Sequence, residues 1–346
     1  MKISIIIPAR NGGEIFKRCL RAIADSRPKP FEVIVADDGS TDGTAHVAAA
    51  FGARVITTPA PGSGPAVGRN LAAQHATGDL LFFFDSDVEI KPDTLLHITQ
   101  IFENDPTLTA LFGSYDDAPS DPNFISQYKN LFHHYVHQQG AEEASTFWSG
   151  CGVIKRDVFL ECGGFSSRYT LPSIEDIELG YALKSRGHRI RLEKTLQVKH
   201  LKRWTLYSLL HSDILARGIP WTRLLLRSRE FINDLNLQTH NRLSVAVTYL
   251  MLLCFALSTL QPLALVGVPF AALSLLLMNR HLYEFFHRQR GLRFMLGAIA
   301  MHWFYYFYNG ISFGLGMMLH LWSLPSPETS EFSENSEVWR EGKGVR

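Results

Sequence analysis

The chain has almost no excess of charge of one sign. Its 34 lysines and arginines face 33 acidic residues, and the net charge of +1 with neutral histidine gives no global field for nucleic acid. Cysteine is scarce too. Cys19, Cys151, Cys162 and Cys254 show no paired metal-ligand spacing and one lies in an apolar run, so reduced, ordinary thiols are expected. The start does not read as a secretory leader: Lys2 to Ile7 is apolar but short, and Pro8, Arg10 and Asn11 end it without a small-residue cleavage site. It reads as a first strand. A dinucleotide fingerprint is missing as well, because Gly62-x-Gly64 lacks a third glycine and does not follow that strand directly.

The polar residues that are present cluster at strand ends. Leu80 to Phe84 is a run of large apolar residues, as in a strand buried on both faces, and Asp85-Ser86-Asp87 follows at its C-terminal end. Open α/β sheets bind ligands there, and hard carboxylate oxygens suit Mg²⁺ or Mn²⁺ together with substrate phosphates. An acidic loop capping the next helix explains Asp-x-Asp equally well. Lys2 to Ile7, Phe31 to Ala36, Arg54 to Thr57, Leu80 to Phe84 and Leu108 to Tyr115 are β-rich, with helical periodicity between them. Ile15, Cys19, Leu20 and Ile23 supply the first intervening helix with an apolar stripe, so a parallel sheet with crossover helices is expected. After the second strand, Asp37-Asp38-Gly39-Ser40-Thr41-Asp42 is a turn whose adjacent acids repel unless something binds there. Arg69 opens the helix that precedes the Asp85 strand, and its guanidinium suits either the acidic cluster or a diphosphate.

Pro8-Ala9-Arg10-Asn11, Asp37 to Asp42, Gly68-Arg69-Asn70 and Asp85-Ser86-Asp87, in this order, resemble the family 2 glycosyltransferases of the GT-A fold. Downstream, Phe147-Trp148-Ser149-Gly150-Cys151-Gly152 is similar to that family's acceptor-side segment, and Ile174-Glu175-Asp176-Ile177-Glu178 to its Glu-Asp motif. The resemblance covers about residues 1 to 205. It implies a mixed, mostly parallel α/β sheet, a nucleotide-sugar donor and a divalent metal, Mg²⁺ or Mn²⁺. By the same resemblance Pro8, Arg10, Asn11 and Asp38 surround the base, Asp85 meets the ribose or Arg69, and Asp87 holds the metal, with His200 as a further ligand. Trp148, Ser149 and Gly150 face the acceptor. Asp176 is the base that takes the acceptor proton, with Glu175 as the second candidate. A helix cap built on Ser173-x-x-Asp176 is the alternative for Asp176. His133, His134 and His137 lie on an expected helix, Phe124 to Gln138, and call for no second metal. Gln197 stands too far from Arg203-Trp204 for the Gln-x-x-Arg-Trp motif of processive synthases, which argues against a polymer synthase.

Beyond His200 the composition changes. Cationic residues from Lys202 to Arg229 interleave with apolar ones at helical spacing, broken at Gly218-Ile219-Pro220, as in two amphipathic helices at a membrane interface or packed on the soluble core. Leu243 to Met278, interrupted at Gln261-Pro262, and Phe294 to Trp322 are nearly free of charge, and a span needs about 20 residues. The expected organisation is a glycosyltransferase domain over 1–203, interfacial helices over 204–241, about three transmembrane spans over 242–322 and a disordered tail over 323–346. The basic loop Arg280 to Arg293 and the catalytic domain fall on one side by the positive-inside tendency. Together these features suggest an enzyme at the plasma membrane of a bacterium, its catalytic domain facing the cytosol, transferring sugar to a lipid or lipid-linked acceptor of the cell envelope to give a glycolipid. Transfer to a polyprenyl phosphate, or an inactive nucleotide-sugar-binding membrane adaptor, is the alternative. No nucleic-acid partner is expected.

Overall fold

The computed structural model describes residues 1–228, 235 and 238–322, so the expected tail at 323–346 lies outside the described residues. The all-apolar run at Leu80–Phe84 forms strand β4, every residue of it buried. Phe82 and Phe84 enter one core and Leu81 and Phe83 the other, as the two-residue period of a strand requires. Around it the chain builds β1 (Ile3–Ala9), β2 (Glu32–Asp37), β3 (Arg54–Thr57), β5 (Val88–Glu89), β6 (Ala110–Tyr115), β7 (Cys151–Lys155) and β8 (Ile190–His200). The sheet order is β3-β2-β1-β4-β7-β6-β8-β5. Strands β3, β2, β1 and β4 are mutually parallel and β6 runs parallel to β8, whereas β7 is antiparallel to both β4 and β6. The chain winds outward from β1 to β3, then crosses to β4 on the other side of β1. That reversal opens a crevice beyond the C-terminal ends of β1 and β4.

Helix α1 (Gly13–Asp25) buries Phe16, Cys19, Leu20 and Ile23 against the sheet. Phe16 takes the place expected for Ile15, which is 37% exposed, because the helix starts at Gly13 and rotates the stripe by one position. Helices α2 (Thr44–Ala50), α3 (Pro65–His75), α4 (Thr94–Asn104), α5 (Phe124–Gln139), α6 (Arg156–Glu161) and α7 (Glu175–Ser185) complete the α/β domain. All four cysteines are unpaired.

The segment expected as two amphipathic helices is one helical run: α8 (Leu206–Leu210), a π-helical stretch His211–Gly218 and α9 (Ile219–Ser228). Pro220 does not break it, being the second residue of α9, where the wider π turn absorbs the ring. Its missing N–H leaves the Ala216 carbonyl without an α-helical donor, and Ser173 Oγ donates to that carbonyl instead. Leu209, Asp213, Thr222 and Leu225 turn inward, while Tyr207 and Leu215 remain exposed.

Then come α10 (Thr239–Leu257), a 3₁₀ turn (Pro262–Val266), α11 (Gly267–Met278) and α12 (Arg280–Trp322), with non-helical backbone at Gly291. The break at Gln261-Pro262 is present. The basic segment expected as a loop is instead helical up to Gly291, whose φ of 81° separates it from the apolar part. Among the described residues α10 alone is long and apolar enough to cross a membrane, and Pro262–Met278 with Arg280–Trp322 qualifies only as a pair bent by 66°, against the three spans expected. Only 11% of the apolar stretch of α10 is buried, unlike the core helix of a soluble domain.

Candidate active site

The crevice is assembled from four strand ends and one helix start. Arg69, in α3, is 3% exposed and donates from Nη2 to Asp85 Oδ1 at 2.6 Å and from Nη1 to Glu175 Oε1 at 3.1 Å. Burial opposes its charge, yet Asp85 and Glu175 hold the guanidinium above its ordinary pKa. Glu175, also 3% exposed, accepts the Ser173 amide at 2.8 Å on its other oxygen. Burial and the adjacent Asp176 push its carboxyl up, against the pull of Arg69. Both Glu175 oxygens are thus engaged inside the protein. The geometry separates it from its neighbour, and only Asp176 is left half-buried at the crevice.

Asp176 Oδ2 accepts the Ser149 amide at 3.0 Å and the Ser149 hydroxyl at 3.1 Å, while Oδ1 accepts the Ile177 amide at 2.9 Å. The capping alternative is not realised. Ile174 is the N-cap of α7, it makes no side-chain cap bond, and the Ser173 hydroxyl is committed to Ala216. Asp176 instead sits in the first helical turn. The loop that carries Ser149 lies directly on α7 because residue 180 is glycine: a Cβ there would meet Phe147 N at 2.3 Å. Trp148 folds back between Tyr115 and His133, with ring centroids 4.8 and 4.7 Å away. Gly150 is required for this, since its Cβ would lie 2.4 Å from the indole.

Asp87 and His200 are brought together by the pairing of β5 with β8, in which Val88 faces His200. His200 Nε2 lies 3.9 Å from Asp87 Oδ2, and Asp87 Oδ1 is buried without a hydrogen-bond partner. Burial, then Lys202, pushes His200 down to about 3, which keeps the imidazole neutral, the form that ligates metals. Burial raises the Asp87 carboxyl. An orphaned carboxylate oxygen beside a neutral imidazole fits a divalent cation. Among the described residues no group of three or more such side chains is gathered, so substrate phosphates and water would supply the remaining ligands.

On the other side of the crevice, Asn11 has φ of 50°, accepts the Thr41 amide at 2.8 Å and donates its own amide to Ser40 Oγ at 2.9 Å. This stitches the loops after β1 and β2 together. Asp38 is turned onto the 58–64 loop: Oδ1 accepts Thr58 Oγ1 at 2.8 Å and Ser63 N at 2.9 Å, and Oδ2 accepts Gly64 N at 3.1 Å. Arg10 lies over Gly62, its Nη1 3.0 Å from where a Cβ would be, and Pro8 is half-buried in the same wall. Asp37, not singled out from sequence, has one buried oxygen without a partner. The acid pair after β2 carried that signal, but strand phase had to decide which member turns inward. His134 and His137 bond the carbonyls of Tyr115 and Gly113 at 2.7 and 3.0 Å, tying α5 to β6 as structural histidines.

A reversed, mostly parallel sheet with a buried arginine, strand-end carboxylates and an Asp–His pair at its crevice is an arrangement suited to phosphates and a divalent cation. Residues 4–163 match the family model described as Glycosyl transferase family 2. An uncharacterized glycosyltransferase of Bacillus subtilis (strain 168) is 38% identical over 112 residues, which is 31% of this chain and 29% of that protein. A pre-mycofactocin glycosyltransferase of Mycobacterium tuberculosis is 28% identical over 209 residues, 57% of this chain and 42% of that one. The chain thus spans less than half the length of either relative. The mannosyltransferase of Pyrobaculum calidifontis, solved with GDP-Man and Mn²⁺, superposes at a TM-score of 0.55 with 17% identity, covering 94% of this chain and 88% of that one. This last likeness is one of fold, and it extends beyond the α/β domain into the C-terminal helices.

Proposed function

We propose that the chain is a membrane-anchored inverting glycosyltransferase that moves a sugar from a nucleotide-sugar donor to a hydroxyl of a lipid or lipid-linked acceptor. The observation that carries this reading is Asp176, half-buried at the crevice and oriented by three hydrogen bonds, beside a carboxylate that the fold has consumed. As the acceptor oxygen attacks the anomeric carbon, Asp176 takes its proton. The bond to the diphosphate breaks on the opposite face, and its electron pair leaves with the phosphate, so the configuration inverts. No covalent glycosyl-enzyme is needed, because positioning and a fixed base suffice. Glu175 is a positioning residue that holds Arg69, and Arg69 in turn holds Asp85 where the donor ribose would lie. Pro8, Arg10, Asn11 and Asp38 shape the wall for the base, and Trp148, Ser149 and Gly150 the acceptor side. Asp87 and His200 would hold Mg²⁺ or Mn²⁺, which neutralises charge on the leaving diphosphate.

Membrane anchoring is supported by the exposed apolar face of the C-terminal helices, including Leu260 at 82%, Leu263 at 74% and Phe270 at 66%. The basic helix before Gly291 docks on the catalytic domain: Arg290 donates to Asp117 O at 2.8 Å and to Gln127 Oε1 at 2.9 Å. It therefore belongs on the catalytic side, which the positive-inside tendency makes cytosolic. In the proposed three-crossing arrangement α10 leaves that side, Pro262–Met278 returns to it and the chain after Gly291 crosses again. Single cysteines at Leu260 and Arg288 in inverted vesicles are then expected to react with an impermeant maleimide from opposite sides. Equal labelling rejects the arrangement.

The activity is tested by incubating purified protein with UDP- and GDP-sugars, membrane lipid extract and Mn²⁺ or Mg²⁺. Release of nucleoside diphosphate that is abolished by chelator and by Asp87→Ala is expected. Binding without turnover on any donor would favour the inactive adaptor.

A further inference from the structure

Three helical segments meet at one buried charge. Lys129, in α5 of the α/β domain, places Nζ 2.6 Å from Asp213 Oδ1, and the Tyr308 hydroxyl of α12 donates to Asp213 Oδ2 at 2.8 Å. Asp213 is 7% exposed and Tyr308 2%. The π-helical stretch is what turns Asp213 toward α12. Along the 206–228 run, Asp213, Gly218 and Thr222 face Tyr308, Ser312 and Gly316 of α12 in the same order: a Cβ on Gly218 would meet Ser312 Cβ at 2.7 Å, and one on Gly316 would meet Thr222 Cβ at 2.7 Å. The contacts are four residues apart throughout α12, but Asp213 and Gly218 are five apart. Five α-helical residues overshoot a full turn by about 140°, which would swing Asp213 off this face. The wider π turns take up the extra residue and keep it there.

The other end of the pair leads to Trp148. Lys129, His133 and His137 follow one another at intervals of four along α5, so they share a face. The rings of His133 and His137 lie 4.7 and 5.3 Å from the Trp148 indole, and His137 bonds the Gly113 carbonyl. One stripe of a single helix thus joins Asp213 to Trp148. A buried ion pair seldom stabilises more than apolar side chains of the same volume would, yet it is satisfied in one geometry only, so a charge kept here serves register better than stability. We propose that Asp213 is a positioning residue: with Lys129 and Tyr308 it locks α5 against α12 and so fixes where Trp148 stands relative to the C-terminal helices. The consequence for sugar transfer rests on the glycosyltransferase reading, whereas the lock itself does not.

The test places spin labels on the full-length protein in detergent, at Leu96 of α4 and Phe313 of α12, which are 44% and 48% exposed, with Cys254 changed to serine because the other three cysteines are buried. Wild type is expected to give one narrow distance distribution. Lys129→Met/Asp213→Leu should broaden it while the denaturant midpoint and the nucleoside diphosphate affinity stay at wild-type values. Transfer to membrane lipid extract should then fall about 10- to 100-fold, the scale of a misplacement of about 1 Å. Hydrolysis of the same donor without lipid should stay at the wild-type rate, a split that a loss of stability would not produce. Lys129→Glu/Asp213→Lys, which exchanges the charges, should restore both the narrow distribution and the transfer. If the apolar pair fails the nucleotide check, Asp213→Asn takes its place, since the amide keeps the shape and the Tyr308 bond, and the same broadening is expected of it. A narrow distribution with wild-type transfer in the uncharged variant overturns the proposal, and so does an exchanged pair as broad as the apolar one. Distances that behave as expected without any release of nucleoside diphosphate defeat the glycosyltransferase reading alone, whereas full turnover with a narrow uncharged variant defeats the lock alone.

Discussion

Asp176→Asn is expected to lower turnover on a hydroxyl acceptor by about 10²- to 10⁴-fold, the usual worth of a general base, with nucleoside diphosphate binding unchanged. The amide is isosteric, and its oxygen can still accept from the Ser149 amide and hydroxyl that fix the side chain at 3.0 and 3.1 Å. What disappears is the capacity to take a proton as the acceptor oxygen attacks. Each tenfold loss corresponds to about 1.4 kcal/mol of barrier, so the expected change is roughly 3 to 5 kcal/mol. Single-turnover rates give the chemical step, and calorimetry with the nucleoside diphosphate gives binding. A wild-type rate would remove Asp176 from the role of base. Equal loss of rate and nucleotide affinity would show a disturbed fold instead. Glu175→Gln should not copy the effect, because Glu175 is spent on Arg69 and Ser173.

Arg69→Met is the second large effect, and it acts on stability. The guanidinium is 4% exposed and bridges Asp85 and Glu175, so an apolar replacement of similar length leaves a buried carboxylate without a counter-charge. Breaking a buried pair from one side costs about 3 to 5 kcal/mol. Denaturant titration of the full chain in detergent should show a loss of that size together with weakened nucleotide binding. Arg69→Lys should recover little, because a point charge cannot span both carboxylates as a planar fork does. The double variant Arg69→Met/Glu175→Gln should be more stable than the single one, since the orphaned charge is gone. Additive losses would mean that the bridge contributes nothing of its own.

The N-terminal half of the fold was legible because its signals are local. Leu80 to Phe84 is a strand wherever it is placed, and Arg54 to Thr57 was bounded to the residue. β5 and β7 escaped notice for different reasons. Val88–Glu89 is two residues long and exists only because β8 pairs with it, while Cys151–Lys155 carries a glycine and a lysine among its five positions and follows a loop that looks like motif rather than strand. Missing β5 hid how Asp87 meets His200, since that contact is a consequence of sheet pairing between residues far apart in the chain. The division of labour between Glu175 and Asp176 was hidden for a related reason. Adjacent residues at a helix start point about 100° apart, and only the position of Arg69 decides which of them is buried. In the C-terminal region composition showed the apolar helices but not their bends. Gly291 reads as an ordinary residue of a basic segment until its backbone is seen.

The bond from Ser173 to the carbonyl that Pro220 leaves free has a geometric consequence. Ser173 also gives its amide to Glu175, so the loop before α7 is clamped between Glu175 and the 206–228 helix. The height of Asp176 above that helix is therefore built into the chain. Whatever surface the helix rests on becomes the zero of a ruler, and under the proposed function an acceptor would be selected by how far its reactive oxygen stands from that surface as well as by its chemistry.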